Sequence, residues 1–252
     1  MEKSKENHQS NKNNKSSKKV FYNIITFILI VIIAFCLFKI GKILWGYYEG
    51  TKTYDEVAKI ATKGAKDSDK IDFDKLLQKN PDTKAWIKLK GTNINYPIVQ
   101  GSNNDFYLYR MFNKEYNRKG SIFVDSRIEN PFQDFMTIVY GHNMKDNTMF
   151  SHIMDYKDQE FYDKHKKMLL YTPSAKYDMY IVGAMYLDAS ASQYKLYFND
   201  FEKQSYVDWI AANSLVKTTE AATAEDKIVM LSTCTNVDED GRFVVFGKLV
   251  PR

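Results

Sequence analysis

The sequence predicts a mainly β protein, a closed or nearly closed barrel of about eight short strands that follows one membrane-spanning helix. Short runs rich in β-branched and aromatic residues follow one another and are separated by Gly, Asn and Asp. A single apolar stretch of about 20 residues lies near the N-terminus. A chain of 252 residues fits one domain with additions, or at most two domains.

The N-terminal region predicts a membrane anchor behind a polar tail. Residues 1–19 hold six lysines, two glutamates and almost nothing apolar, so we expect them to be disordered. Residues 20–40 are apolar over the length that a transmembrane helix needs. This run is long for a cleaved signal peptide, and no small-residue cleavage site follows it. Lysine-rich flanks stay cytoplasmic, so we expect a single-pass plasma-membrane protein with its C-terminal part outside the cell.

Charge and cysteine content limit the function of the remaining chain. The formal net charge of +5 comes from the tail and the membrane flank, which leaves residues 50–252 neutral. A neutral domain lacks the basic surface that nucleic-acid binding needs, so that class is set aside. Of the two cysteines, Cys36 lies in the anchor and Cys234 in the main domain. The main domain therefore has no internal disulfide, and Cys234 is a candidate reactive thiol.

The region before the strands predicts short helices. Residues 41–70 are expected to form a juxtamembrane helix, and the main domain is expected to span residues 71–252. Asp72 is a candidate N-cap for a second short helix that stops near Asn80-Pro81. An insertion at Leu187–Asp226, before the seventh strand, includes a helical stretch around Phe201–Asn213. The predicted strands are Ala85–Leu89, Ile94–Gln100, Ser121–Asp125, Met136–Tyr140, Met168–Thr172, Lys176–Tyr186, Lys227–Thr233 and Arg242–Val250.

Reactive side chains stand at the ends of three predicted strands. Cys234 ends one strand, Arg242 begins the next, and His142 follows the strand Met136–Tyr140. A thiol becomes a working nucleophile beside a cation or a base. A histidine can supply either and can also protonate a leaving amine, whereas arginine suits an oxyanion. The alternative is that Cys234 is an inert core thiol, since cysteine is often buried.

Familiar cysteine proteases do not match this pattern. Papain-like enzymes place the cysteine first, and caspases carry a Gln-Ala-Cys motif; the chain shows neither arrangement. A calcium-loop pattern begins at Asn236 and continues through Asp238 and Asp240, but its twelfth position is Gly247, where a glutamate is required. We therefore expect a solvated turn there and no metal.

Several separate motifs resemble one family. Leu231-Ser-Thr-Cys234 followed by Arg242, with Tyr140-Gly-His-Asn-Met144 upstream, is similar to sortases. Asn147-Thr-Met-Phe150, Asn95-Tyr-Pro-Ile-Val-Gln100 and the helix-bearing insertion before the cysteine strand resemble class B in particular. The resemblance covers about residues 70–252.

The resemblance implies a sortase-type eight-stranded barrel and a cysteine transpeptidase that needs no metal or other cofactor. Cys234 would be the nucleophile, His142 the general acid/base, and Arg242 the residue that positions and stabilises the acyl carbonyl. The positions implied for substrate binding are Ser232, Tyr140, Asn104 and Leu108.

The same resemblance implies the reaction and its partners. The enzyme would cleave an Asn-Pro-x-Thr-type sorting signal of client surface proteins after threonine and transfer the client to an amine of a cell-wall precursor. Three alternatives stay open: a pilin-polymerising enzyme, a hydrolase that releases clients, and a non-catalytic module that binds wall peptides.

Overall fold

The computed structural model describes residues 3–62, 70–235 and 240–252, with side chains from residue 19 onward. The chain divides into two compact units, Met1–Gly46 and Tyr47–Arg252. The second unit therefore begins before residue 71, where the sequence places the start of the main domain. The reason is packing, because Tyr54, Val57 and Ala61 recur at helical spacing and are buried.

The first helix, α1 (Lys3–Ala61), includes the predicted anchor. Its part Lys19–Ala61 is long and apolar enough to cross a membrane, which fits the segment predicted at residues 20–40. The large apolar side chains between Val20 and Ile40 are exposed. The helix also continues through residues 3–19, where the sequence predicts disorder. Extending a helix that has already formed fixes only one residue per added hydrogen bond, so polar residues can continue it.

The second helix, α2 (Phe73–Lys79), confirms the prediction made from Asp72. The Asp72 carboxylate accepts a hydrogen bond from the Lys75 backbone N–H at 3.2 Å, as an N-cap does. The helix ends at Asn80, which is fully buried. The Asn80 Nδ2 atom donates to the Tyr107 hydroxyl at 2.9 Å and to the Phe112 carbonyl at 2.8 Å. This side chain therefore joins the end of α2 to the segment that precedes the third strand.

Eight strands close into a barrel, as the sequence predicts. Around the barrel they follow the order β1-β2-β3-β4-β7-β8-β6-β5, and β1 also pairs with β5. The β2–β3 and β4–β7 pairs are parallel, and the other pairs are antiparallel. The strands are β1 (Thr83–Lys88), β2 (Asn95–Val99), β3 (Ile122–Val124), β4 (Met136–Tyr140), β5 (Lys167–Tyr171), β6 (Lys176–Asp188), β7 (Ile228–Cys234) and β8 (Gly241–Pro251).

Strand β7 lies between β4 and β8 and is covered along nearly its whole length. Every residue from Ile228 to Thr233 is buried. A strand that is buried on both faces reads as a continuous apolar run without alternation, which is the pattern of this segment. Only Cys234, at the last position, is partly exposed. The strand therefore delivers one reactive side chain to the rim of the barrel.

Three helical segments lie between β4 and β7. The insertion helix α4 (Asp200–Asn213) confirms the predicted helix, and Asn199 begins it with a capping box to Glu202. Val207 and Ile210 are the buried residues of this helix, whereas its Phe201 is exposed. A 3-10 helix (Ser151–Lys157) and the six-residue α3 (Gln159–Lys164) are not predicted from the sequence. Both are too short to show a helical period.

Gly120 precedes β3 in a conformation that only glycine adopts at low cost. Its φ is +56°, and a Cβ atom there would lie 2.3 Å from the Leu108 carbonyl oxygen. Two backbone segments therefore approach each other more closely here than any side chain allows.

We predict that Gly120→Ala destabilises the barrel unit strongly. Gly91→Ala is the matched control, because Gly91 also has a positive φ of +83° but its nearest contact would be the His165 side chain at 3.3 Å. We expect the control to lower the unfolding free energy by about 1 kcal/mol. Gly120→Ala should exceed the control by ~2 kcal/mol through the added clash. Urea unfolding of both variants measures this difference, and equal losses would contradict the close approach.

Candidate active site

The parallel pairing of β4 and β7 brings two of the predicted catalytic residues, His142 and Cys234, to one edge of the barrel. Tyr140 pairs with Ser232 at the ends of the two strands. The Gly141 backbone N–H then donates to the Ser232 carbonyl at 3.1 Å. Two residues further on, the Asn143 side chain donates to the Cys234 carbonyl at 3.1 Å. Because His142 stands between these two bonded positions, it leaves β4 beside Cys234.

The antiparallel pairing of β7 and β8 brings the third residue. Cys234 and Arg242 are direct partners in the register, and the Thr235 backbone N–H donates to the Gly241 carbonyl at 3.0 Å. The Arg242 Nη1 atom donates to the same Gly241 carbonyl at 3.0 Å. The strand pairing therefore sets the thiol and the guanidinium on neighbouring backbone positions.

The loop between these two strands contains the calcium-loop pattern considered above. Residues 236–239 lie outside the part of the chain that the structure describes. Within the described ranges, no group of three or more His, Cys, Asp and Glu side chains could hold a metal ion.

His142 is partly buried, and its ring has a defined hydrogen bond. Its Nε2 atom lies 2.6 Å from the Leu108 carbonyl oxygen. A carbonyl only accepts, so Nε2 carries the proton and, in the neutral ring, Nδ1 is the acceptor. Burial lowers the pKa of His142 below its ordinary value, although the Leu108 carbonyl partly offsets this effect. The resting imidazole is therefore neutral at pH 7.

All seven residues proposed from the sequence line one open cavity of about 510 Å³. Catalytic candidates and substrate-binding candidates thus share a single space at the rim of the barrel. The residues proposed from the sequence are Cys234, His142, Arg242, Ser232, Tyr140, Asn104 and Leu108; other lining residues include Tyr194, Arg127, Phe123 and Thr233.

One wall of this cavity is built on a buried carboxylate. Asp125 is fully buried and receives two hydrogen bonds from the Arg127 guanidinium, at 2.8 and 2.9 Å. The Tyr140 hydroxyl also donates to Asp125, at 3.0 Å. Burial alone would raise the pKa of Asp125, but the Arg127 and Tyr140 hydrogen bonds hold it below its usual value. Burial and the nearby negative charge raise the pKa of Tyr140, so Tyr140 stays a protonated donor.

A second tyrosine extends this wall from the insertion. The Tyr194 ring stacks on the Tyr140 ring, with centroids 6.5 Å apart and planes 14° apart. Its hydroxyl lies 2.8 Å from the Ser232 Oγ atom. Burial raises the pKa of Tyr194, so the phenol remains neutral. Ser232 is thereby tied to the insertion as well as to the barrel.

Comparisons with known proteins identify the family of this chain. A family model described as the Sortase domain matches residues 87–250, more than half of the chain. The chain belongs to the sortase family. Sortase B of Staphylococcus aureus (strain NCTC 8325 / PS 47) is 33% identical over 238 residues, which cover 92% of this chain and 98% of that protein.

Solved structures give the same assignment for this sortase. A Staphylococcus aureus sortase B–substrate complex aligns with a TM-score of 0.72 and 31% identity, over 81% of this chain and 97% of that one. A sortase B complexed with triglycine aligns with a TM-score of 0.66 and 37% identity, over 71% and 85% of the two chains. The resemblance to class B is confirmed, and the chain is a cysteine transpeptidase of this class.

The sequence does not single out every residue of this sortase cavity. Tyr194 is one of 18 tyrosines and lies in an insertion without regular periodicity. Asp125 and Arg127 follow a short strand, and no motif marks them as partners of Tyr140. Thr233 precedes Cys234 in the quoted motif, and its buried Oγ1 has no hydrogen-bond partner among the described residues.

We predict that the His142 imidazole titrates below 6.5, its ordinary value, because burial favours the neutral ring. The proton is therefore bound more tightly in the unfolded chain, so the stability that His142 contributes is complete above about pH 6.5. It is lost as the pH falls through the lowered value. NMR titration of the ring, assigned by comparison with His142→Gln, measures the midpoint. A midpoint at or above 6.5 would contradict the prediction.

Proposed function

We propose that this sortase cleaves an Asn-Pro-x-Thr-type sorting signal after threonine and transfers the client protein to an amine of a cell-wall precursor. The observation that carries the proposal is the meeting of Cys234, His142 and Arg242 on one open cavity. A thiol, a proton carrier and a fixed cation are the groups that acyl transfer needs.

In the first half of the proposed reaction, the neutral His142 takes the proton of the Cys234 thiol. The sulfur attacks the threonine carbonyl carbon and forms a thioester as the bond to the following nitrogen breaks. His142 passes its proton to that departing amine. The Arg242 guanidinium donates to the carbonyl oxygen while it carries negative charge.

In the second half, an acceptor amine replaces the thiol. The amine nitrogen attacks the thioester carbon and forms an amide, and its proton passes through His142 to the departing Cys234 sulfur. The neutral resting state of His142 suits both halves, because each begins with proton removal. The triglycine complex of the related sortase B supports a glycine-type amine as the acceptor.

The sorting signal is proposed to lie along the wall formed by Tyr140 and Ser232. The stacked ring of Tyr194 supplies an aromatic surface for the proline. Asn104 and Leu108, which also line the cavity, are proposed to contact the signal as well. Asn104 Oδ1 accepts from the Ser126 backbone N–H at 2.8 Å, so its orientation is fixed. The substrate complex of the related Staphylococcus aureus sortase B supports a peptide substrate for this chain.

The proposed location is the outer face of the plasma membrane, with a single-pass anchor. The part of α1 from Lys19 to Ala61 has the length and apolarity for crossing. The six lysines of residues 1–19 are proposed to stay cytoplasmic. Client proteins anchored in the same membrane would then expose their sorting signals on the same side of the membrane as the proposed enzyme.

The proposal is tested with the full-length chain in detergent, mixed with an Asn-Pro-Gln-Thr peptide and followed by mass spectrometry. We expect cleavage after threonine, a thioacyl adduct on Cys234, and capture of that adduct by triglycine. A peptide with alanine in place of the asparagine is the matched control and should not be cut. Cleavage without capture by any amine would favour a hydrolase. Capture by a lysine side chain alone would favour pilin polymerisation, and the absence of any adduct would favour a binding module.

We predict that Cys234→Ala abolishes the reaction, whereas Cys36→Ser leaves it unchanged because Cys36 lies in the anchor. Arg242→Lys should lower kcat/KM on the order of 10²-fold, since lysine keeps the charge but loses the planar set of donors. Arg118→Lys, at an exposed position outside the cavity, is its control. Initial rates with the peptide and triglycine measure each effect. A near-wild-type rate for Arg242→Lys would remove Arg242 from the mechanism.

A further inference from the structure

Lys119 is a buried cation outside the active-site cavity. Its side chain is 1% exposed, although lysines are almost never fully buried unless they are paired. The Nζ atom donates to Asp146 Oδ2 at 2.6 Å, to Thr51 Oγ1 at 2.8 Å and to Thr148 Oγ1 at 2.9 Å. These three acceptors match the three hydrogens of the ammonium. The chain therefore accommodates the buried charge with a complete set of partners.

Asp146, the charged partner of Lys119, lies in the loop that follows His142. The loop returns on itself, and the Phe150 backbone N–H donates to the His142 carbonyl at 2.9 Å. Two of its residues, Asn147 and Met149, have a φ of +57°, a conformation that side-chain-bearing residues hold only when their surroundings enforce it. Lys119 supplies such an enforcing contact at the loop tip. The main chain of His142 is thereby tied to the buried ammonium.

The backbone of Lys119 belongs to the segment that holds the His142 ring. The Asn117 backbone N–H donates to the Tyr109 carbonyl at 3.0 Å, and the Ser121 N–H donates to the Tyr107 carbonyl at 2.9 Å. These bonds bracket Leu108, whose carbonyl accepts the proton of His142 Nε2 at 2.6 Å. The orientation of the imidazole therefore depends on the position of this segment.

The part of α1 that belongs to the second compact unit, Tyr47–Arg252, also contacts Lys119. Thr51 is one of the three acceptors of Lys119. A Cβ atom at Gly50 would lie 2.7 Å from Lys119 Cδ, so this turn of the helix packs directly against the lysine stem. The lysine thus joins three chain segments.

We propose that Lys119 is a positioning residue for the transfer reaction. Its ammonium joins the loop that fixes the main chain of His142 to the segment that fixes the ring of His142. The inference rests on the acid/base role proposed above for His142. Lys119 does not line the active-site cavity, so its loss should disturb proton transfer more than peptide binding.

The test compares Lys119→Met with wild type in the full-length chain, using the peptide and triglycine. We expect kcat to fall on the order of 10- to 100-fold, because a small misplacement of a catalytic group has that effect. The KM for the peptide should change less than about threefold, since the cavity walls are retained. The matched control is Lys167→Met, which removes an ion pair with Asp178 between β5 and β6. It should leave both constants within about twofold of wild type.

Asp146→Asn and the double variant separate positioning from stability. Lys119→Met leaves the partly buried Asp146 carboxylate without its cation, which is destabilising. Thermal unfolding is therefore recorded, and rates are measured where each variant is folded. The double variant should lose no more kcat than the more impaired single variant, because both changes break one contact. If Lys119→Met does not fold, the loss of kcat in Asp146→Asn decides the question.

Two results would overturn the proposal: wild-type kcat in folded Lys119→Met or Asp146→Asn, or losses that simply add in the double variant. The assay of His142→Ala separates failure of the positioning role of Lys119 from failure of the acid/base role proposed for His142. Wild-type activity in His142→Ala would remove the acid/base role itself. An inactive His142→Ala beside a fully active Lys119→Met would remove only the positioning role.

Discussion

The parallel pairing of β4 with β7 is the constraint on which the site depends. A parallel pair needs a long connection, and here that connection carries β5, β6 and the insertion with α4. His142 and Cys234 are therefore distant in sequence and come to the same edge only because β4 and β7 pair. Their register is set by the buried faces of the two strands, and a shift of one residue would turn each side chain to the opposite face. The antiparallel β7–β8 pair then adds Arg242 opposite Cys234.

The chemistry follows from how each group is held at that edge. Burial keeps His142 neutral, and the Leu108 carbonyl fixes its proton on Nε2. At the same cavity, the buried Asp125 orients the Tyr140 hydroxyl, and Tyr194 stacks on Tyr140 while it contacts Ser232. Preorganised groups of this kind need little rearrangement when charge develops in the reaction. The barrel therefore provides rigidity, and the loops and the insertion provide the polar contacts.

Much of this could be predicted from the sequence, for identifiable reasons. β7 and β8 are long buried runs, so their ends mark Cys234 and Arg242, and the Gly-His motif after β4 marks His142. The capping residues Asp72 and Asn199 start helices whose apolar spacing is local. The contacts of Tyr194 and Lys119 could not be predicted, because each joins segments that are far apart in the chain. The contacts of Asp125 with Arg127 and Tyr140 are nearer in sequence, but no motif marks these residues as partners. The 3-10 helix and α3 also escaped prediction, since so short a helix has no measurable period.

We propose that strand pairing places His142 where it controls the reactivity of Cys234. The most direct test is the rate of alkylation of Cys234 between about pH 5 and pH 8, the range in which histidine titrates. It is measured in a Cys36→Ser background, with and without His142→Ala. We expect the two profiles to separate, with the histidine-containing enzyme reacting faster near neutral pH. Superimposable profiles would mean that the thiol and the imidazole are not coupled, and His142 would then have no control over Cys234.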